Sequence, residues 1–259
     1  MSKVLVDILS YLNLYMLIFA RCIGLFVVSP IFGRNNLPNI FKLGFCLIVS
    51  YIILPYVNMG NVSEYSFFNI MFLGIKEILI GFVIGFIAYM IFSIFYIAGA
   101  FLDLDLGFSM ANVIDPQYGS QVPITGNFIY TILTVVFMLL NGHHYLIKAL
   151  VDSFYIFPVN SLININNNLF VFIVQLLDYM FVSAIKISII VMISIFLVNL
   201  ILGILARTMP QMNVFIVGMP LKIVIGLSIM SVSFPYMVAM GDRIFTNMYE
   251  FIYKIIRIL

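Results

Sequence analysis

Hydrophobic residues fall in long blocks that polar residues rarely interrupt. Six runs lack Asp, Glu, Lys and Arg over at least 19 residues: 43–63, 78–102, 116–147, 153–177, 187–206 and 223–241. Roughly 20 mostly apolar residues carry a helix across a bilayer, so each run is a candidate span. The pattern predicts a first helix over 8–28, stopped by Pro30, Gly33 and Pro38, whose backbones do not continue a helix. A second helix is predicted over 40–57, ending near Pro55. The block 67–102 would reach about 54 Å as one helix. It therefore bends, extends beyond the bilayer, or is two helices joined near Lys76 and Glu77. A single helix is predicted over 127–150. The block 169–206 again exceeds one span, and 212–240 forms the last long apolar segment. The tail 242–259 reads as a separate amphipathic helix. Arg243, Glu250, Lys254 and Arg257 share one helical face, and Ile244, Phe245, Met248, Ile252 and Ile256 lie away from it. That face suits either the membrane interface or a docking partner.

Composition fixes the class. Of 259 residues, 64% are hydrophobic and 8% charged, and the mean hydropathy is +1.20. A soluble domain carries about 25% charged residues, so this chain cannot solvate its own surface. The expected fold is all-α: a polytopic integral membrane protein of long helical hairpins, one domain over 1–259. Lys3 gives a basic start, but Asp7, Asn13 and Arg21 interrupt what would be a signal-peptide core, so the first segment is expected to be a retained helix. Cys22 and Cys46 sit in apolar segments and are expected to be small buried hydrophobes rather than a disulfide. A net charge of +2 spread along the chain offers no patch for nucleic acid. Arg34 and Lys42 flank the first loop, while Asp103, Asp105 and Asp115 follow the third block without a cation. The positive-inside rule then places the first loop in the cytoplasm and the acidic one outside.

Four groups of residues break the apolar pattern. Charges within spans are costly and default to functional hypotheses; here they are Arg21, Lys76, Glu77 and Lys186. Lys76 and Glu77 are adjacent and point about 100° apart on a helix, so internal pairing with other segments is the favoured reading over transport. The second group is a polar, glycine-rich stretch: Gly107, Phe108, Ser109, Met110, Asp115, Pro116, Gln117, Gly119 and Gln121. Non-helical backbone at membrane depth persists only when buried in protein or lining a wet cavity. The stretch is thus an exposed connector or a re-entrant plug hinged at Gly107 and Gly119, with Phe108 and Met110 as soft occluding side chains. The third group is the corner Arg207, Pro210, Gln211, Asn213, Gly218, Pro220 and Lys222. It packs helix breakers, amides and cations between apolar segments and marks contact with protein or water. The last is Gly81 and Gly85, a GxxxG spacing that permits close helix approach. His143 and His144 lack the i,i+3 or i,i+4 spacing of a helical metal site. With no nucleophile or phosphate-loop motif, the reading is a non-enzymatic protein without metal or cofactor.

An ordered set of segments then resembles the FliR family of flagellar export-gate proteins, whose counterparts occur in virulence-type type III secretion. The set comprises Arg21, Pro30 and Phe32; Pro38 and Lys42; Glu77, Gly81 and Gly85; Ala98-Gly99 through Gly107-Phe108-Ser109; Asp115-Pro116, Gly119 and Gln121; and Asn141-Gly142-His143-His144. It ends in Pro210-Gln211-Met212-Asn213-Val214-Phe215, Gly218, Pro220-Leu221-Lys222 and Gly226. The resemblance implies a helical hetero-oligomeric export gate in the bacterial cytoplasmic membrane, within the flagellar basal body. It implies small membrane partners of the FliP and FliQ type, contacts with FlhB- and FlhA-like proteins, and a cargo of unfolded flagellar subunits. It also implies that residues 106–122 are a plug. The rivals are the same role in a virulence system and a secondary transporter coupled through Lys76, Glu77 or Lys186.

Overall fold

A computed structural model describes residues 2–33, 38–57, 67–109, 123–159, 161, 167–209, 211 and 213–259. Among these residues all regular structure is helical. The helices are α1 (Ser2–Val28), α2 (Asn39–Ile53, followed by a 3-10 turn Leu54–Tyr56), α3 (Phe67–Leu106), α4 (Ile124–Leu139), α5 (Gly142–Ile156), α6 (Asn167–Thr208) and α7 (Val214–Ile258). Five helical segments are long and apolar enough to cross a membrane, or six when α4 and α5 count as one bent span. The chain is an all-α polytopic membrane protein.

Local chemistry explains most of the boundaries. The 3-10 turn carries Pro55, which ends the expected second helix where its ring and missing N–H oppose continuation. Past α1, Phe26, Phe32 and Phe45 cluster with ring centroids 4.4 to 6.0 Å apart, fixing the turn against the start of α2. Lys76 and Glu77 do not divide the third block: α3 is one helix of 40 residues. It stops at Gly107, whose φ of 88° is the left-handed conformation that glycine adopts without a Cβ clash.

Two expectations are corrected. The single helix over 127–150 is two helices, bent by 70° where Asn141 takes a left-handed φ of 56°. Asparagine tolerates that region, and the helix restarts at Gly142. The tail 242–259 is not a separate element either. It is the end of α7, a 45-residue helix that carries Pro220 and Pro235 inside it. Each proline removes one i→i−4 bond, at the carbonyls of Ile216 and Ser231, without ending the helix. The tail's amphipathic pattern holds: Arg243, Glu250, Lys254 and Arg257 are exposed, and Ile244, Phe245, Met248, Ile252 and Ile256 are buried.

The chain packs as two compact units. One comprises Met1–Ile91, Asn141–Leu176 and Thr246–Leu259; the other comprises Phe92–Leu140 and Leu177–Phe245. In the first, Leu14, Leu17, Ile18, Ile84, Leu146 and Ile252 are among the fully buried core, and Cys22 and Cys46 are buried free thiols. In the second, Phe92, Phe95, Phe137 and Phe245 form an aromatic cluster with centroids 4.8 to 6.0 Å apart. Mostly edge-on ring contacts of this kind are each worth about 0.5–1.5 kcal/mol beyond burial.

Candidate functional site

In the first unit, α1 and α3 approach until their backbones touch. A Cβ on Gly81 would lie 2.0 Å from the carbonyl oxygen of Arg21, and one on Gly24 would lie 2.2 Å from that of Ile78. At Gly85 the same construction meets the Leu25 carbonyl at 2.8 Å. Only glycine fits the first two positions, because any side chain would force the helices apart.

That approach brings together two charges 56 residues apart. Arg21 Nε donates to Glu77 Oε2 at 2.5 Å, and both side chains are fully buried. Arg21 Nη1 donates to Ser153 Oγ at 2.9 Å and Nη2 to the Phe157 carbonyl at 3.1 Å. The guanidinium carbon lies 3.8 Å from the centroid of the Phe154 ring. The planar fork thus serves a carboxylate, a hydroxyl and a carbonyl while stacking on an aromatic face, as a guanidinium can and an ammonium cannot. Lys76 Nζ donates to the carbonyls of Val159 and Ser161, the latter at 3.0 Å, and stands 3.5 Å from Glu77 Oε1. Three of the four charges singled out within the apolar blocks therefore form one node tying α1, α3, α5 and the segment after α5. Lys186, in the second unit, has an exposed side chain.

The glycine-rich stretch is described only at its start. Gly107, Phe108 and Ser109 are half-buried at the end of α3, while Met110, Asp115, Pro116, Gln117, Gly119 and Gln121 lie outside the described residues. The helices flanking it are tied together. Asp103 Oδ1 accepts the Thr125 backbone N–H at 3.1 Å and is also reached by the Thr125 hydroxyl, which stands 3.1 Å from the Gly99 carbonyl. A Cβ on Gly99 would lie 2.0 Å from the Gly126 Cα. Asp103 is 4% exposed, and its charge faces the first turn of α4, where unpaired N–H groups and the helix dipole favour an anion. Among the described residues, Asp103 is therefore a helix cap supplied from another helix.

The polar corner joins α6 to α7. Arg207, Gln211, Asn213 and Pro220 are exposed, Lys222 is half-buried, and Gly218 is buried; Pro210 lies outside the described residues. A Cβ on Gly218 would meet Leu202 Cδ1 at 3.0 Å, so the two helices lie close there. Between them is a cavity of about 290 Å³ lined by Asn199, Leu202, Gly203, Ala206, Gly218 and Lys222, with Met219. Thr125 and Ser153 were not among the sequence-derived candidates. Both lie just outside the helix predicted over 127–150, and no motif marks them.

Comparison with known proteins gives a consistent answer. Residues 12–248 match the profile of the family described as bacterial export proteins, family 1. The chain is 40% identical over 221 residues to the flagellar biosynthetic protein FliR of Bacillus subtilis, covering 85% of each chain. It is 29% identical to FliR of Escherichia coli, covering 96% of this chain and 94% of the relative. With FliR of Aquifex aeolicus the identity is 28%, over 87% of each.

Proposed function

Because this chain belongs to the bacterial export proteins, family 1, we propose that it is a structural subunit of the flagellar type III protein-export gate. In this reading it lies in the bacterial cytoplasmic membrane within the flagellar basal body. It assembles with FliP- and FliQ-like subunits and meets FlhB- and FlhA-like proteins. Unfolded flagellar subunits pass through the channel so formed. The flagellar names of the relatives favour this over the equivalent place in a virulence system. Residues 107–121 are the plug that closes the channel, and the Arg207–Lys222 corner is a partner contact.

The structural observation that carries the assembly reading is the length over which α6 exposes apolar side chains, with the exposed polar residues Gln175, Asp178, Lys186 and Asn199 among them. Phe170, Phe181, Ile193, Phe196 and Ile204 are all more than half exposed, and the strip from Phe170 to Ile204 runs about 51 Å at the rise of an α-helix. A hydrocarbon core of roughly 30 Å covers about 39 Å of a helix even at the 40° tilt that bounds most membrane helices. About 12 Å of apolar surface is left over, and protein is the covering that removes it from water.

Mild-detergent purification of the tagged chain from its native cells, with mass spectrometry of what accompanies it, tests the proposal. FliP- and FliQ-like partners in a stable complex are expected. A chain that purifies alone, monodisperse and stable, would instead point to the transporter reading.

A further inference from the structure

Within the first unit, α5, α6 and α7 line an open cavity of about 870 Å³, within the roughly 300–1,000 Å³ typical of ligand sites. The charges of the buried node, Arg21, Lys76 and Glu77, do not line it. We propose that this cavity binds the headgroup of an anionic phospholipid.

Its charge points that way. Lys148, Lys254 and Arg257 line it against a single carboxylate, Glu250, and all four are exposed. Among the described residues, the side chains of Lys148 and Arg257 have no hydrogen bond or ion pair. Lys254 Nζ donates to Gln175 Oε1 at 2.6 Å, which holds the ammonium at the wall and leaves two of its three protons for a ligand. Asp152, the nearby acid that would compete, accepts from the Tyr253 hydroxyl at 2.6 Å. Asn168, in the first turn of α6, also lines the cavity, adding the positive end of a 42-residue helix dipole. The wall is preorganised: Tyr249 donates to the Gly142 carbonyl at 3.1 Å, and its ring lies 5.2 Å from that of Tyr145.

Position and apolar surface select a lipid among anions. The cavity lies where α6 begins and α7 ends, so two span-length helices terminate there together. Tyrosine, lysine and arginine at such ends mark the level of the headgroups, and basic pockets between membrane helices at that level bind acidic headgroups. Val171, Phe172 and Ile258 complete the wall. Val171 is exposed, and Phe170, Ile173 and Val174 extend the exposed apolar surface along α6. An acyl chain would follow that track, and a free phosphate has no use for it. The inference needs only a membrane-spanning chain and stands or falls apart from the export-gate reading.

Native mass spectrometry of the full-length chain in detergent, titrated with dioleoyl phosphatidylglycerol or dioleoyl phosphatidylcholine, tests it. Phosphatidylglycerol is expected to bind at one molecule per chain at least tenfold more tightly. The triple variant Lys148→Gln, Lys254→Gln, Arg257→Gln is expected to lose that preference. Glu250→Gln, which removes the one anion from the cavity, is expected to tighten binding severalfold, an outcome that misfolding does not mimic. Equal binding of the two lipids, or an unchanged preference in the triple variant, would overturn the proposal. So would displacement of the lipid by millimolar inorganic phosphate, which identifies a free-anion site. Absence of the lipid from the complex purified from cells, with an acidic partner segment cross-linked to Lys254 instead, would assign the cavity to protein.

Discussion

Glu77 holds two cations inside the first unit, and its removal exposes what each half of the node contributes. Arg21 is fully buried beside it, so Glu77→Ala leaves a guanidinium in a low-dielectric interior with only a hydroxyl, a carbonyl and a ring for company. Breaking a buried pair from one side costs about 3–5 kcal/mol, and a large fall in the thermal stability of the purified protein in detergent is expected. Replacing both partners, as in Arg21→Met with Glu77→Leu, is expected to recover part of that loss, because no lone charge remains buried. A double variant as unstable as Glu77→Ala would show that the contacts to Ser153 and Phe157, rather than the charge balance, hold the node.

At the scale of elements, the decisive contacts are those that end helices. Asp103 caps α4 from α3. Asp103→Asn keeps an acceptor for the Thr125 N–H and is expected to be tolerated. Asp103→Leu leaves that donor buried and unpaired, and is expected to lower stability by about 1–3 kcal/mol; equal stability of the two variants in thermal unfolding would refute the capping role. Helix content was readable from the charge-free runs, and the exposed Lys186 interrupts α6 in sequence without breaking it. The α4–α5 bend was hidden, because the run 116–147 passes through Leu140, Asn141 and Gly142 without a charge. Only the Asn-Gly pair signalled a left-handed residue there. Ser153 and Thr125 were hidden for another reason. Serines in these helices bond their own backbone, as Ser188 does to the Ala184 carbonyl at 3.0 Å and Ser194 to that of Ile190 at 2.8 Å. Nothing in the sequence separates such a hydroxyl from one that meets a distant partner. Arg21 and Glu77 each announced the need for a counter-charge, but a separation of 56 positions conceals the match.

For the whole molecule, the apolar surface and the glycine-rich stretch carry the functional proposal. If residues 107–121 close a channel, deleting Ser109–Ile114 should make the assembled gate leak ions or small solutes in reconstituted vesicles. An unchanged conductance would sink the plug. The buried node has a further consequence, for the order in which the chain enters the bilayer. Arg21 emerges from the ribosome 56 residues ahead of Glu77 and 132 ahead of Ser153. A lone arginine near the middle of a span resists release from the translocon by about 2.5–3.5 kcal/mol. α1 therefore carries that cost by itself until α3 has been synthesised and Glu77 can meet its arginine.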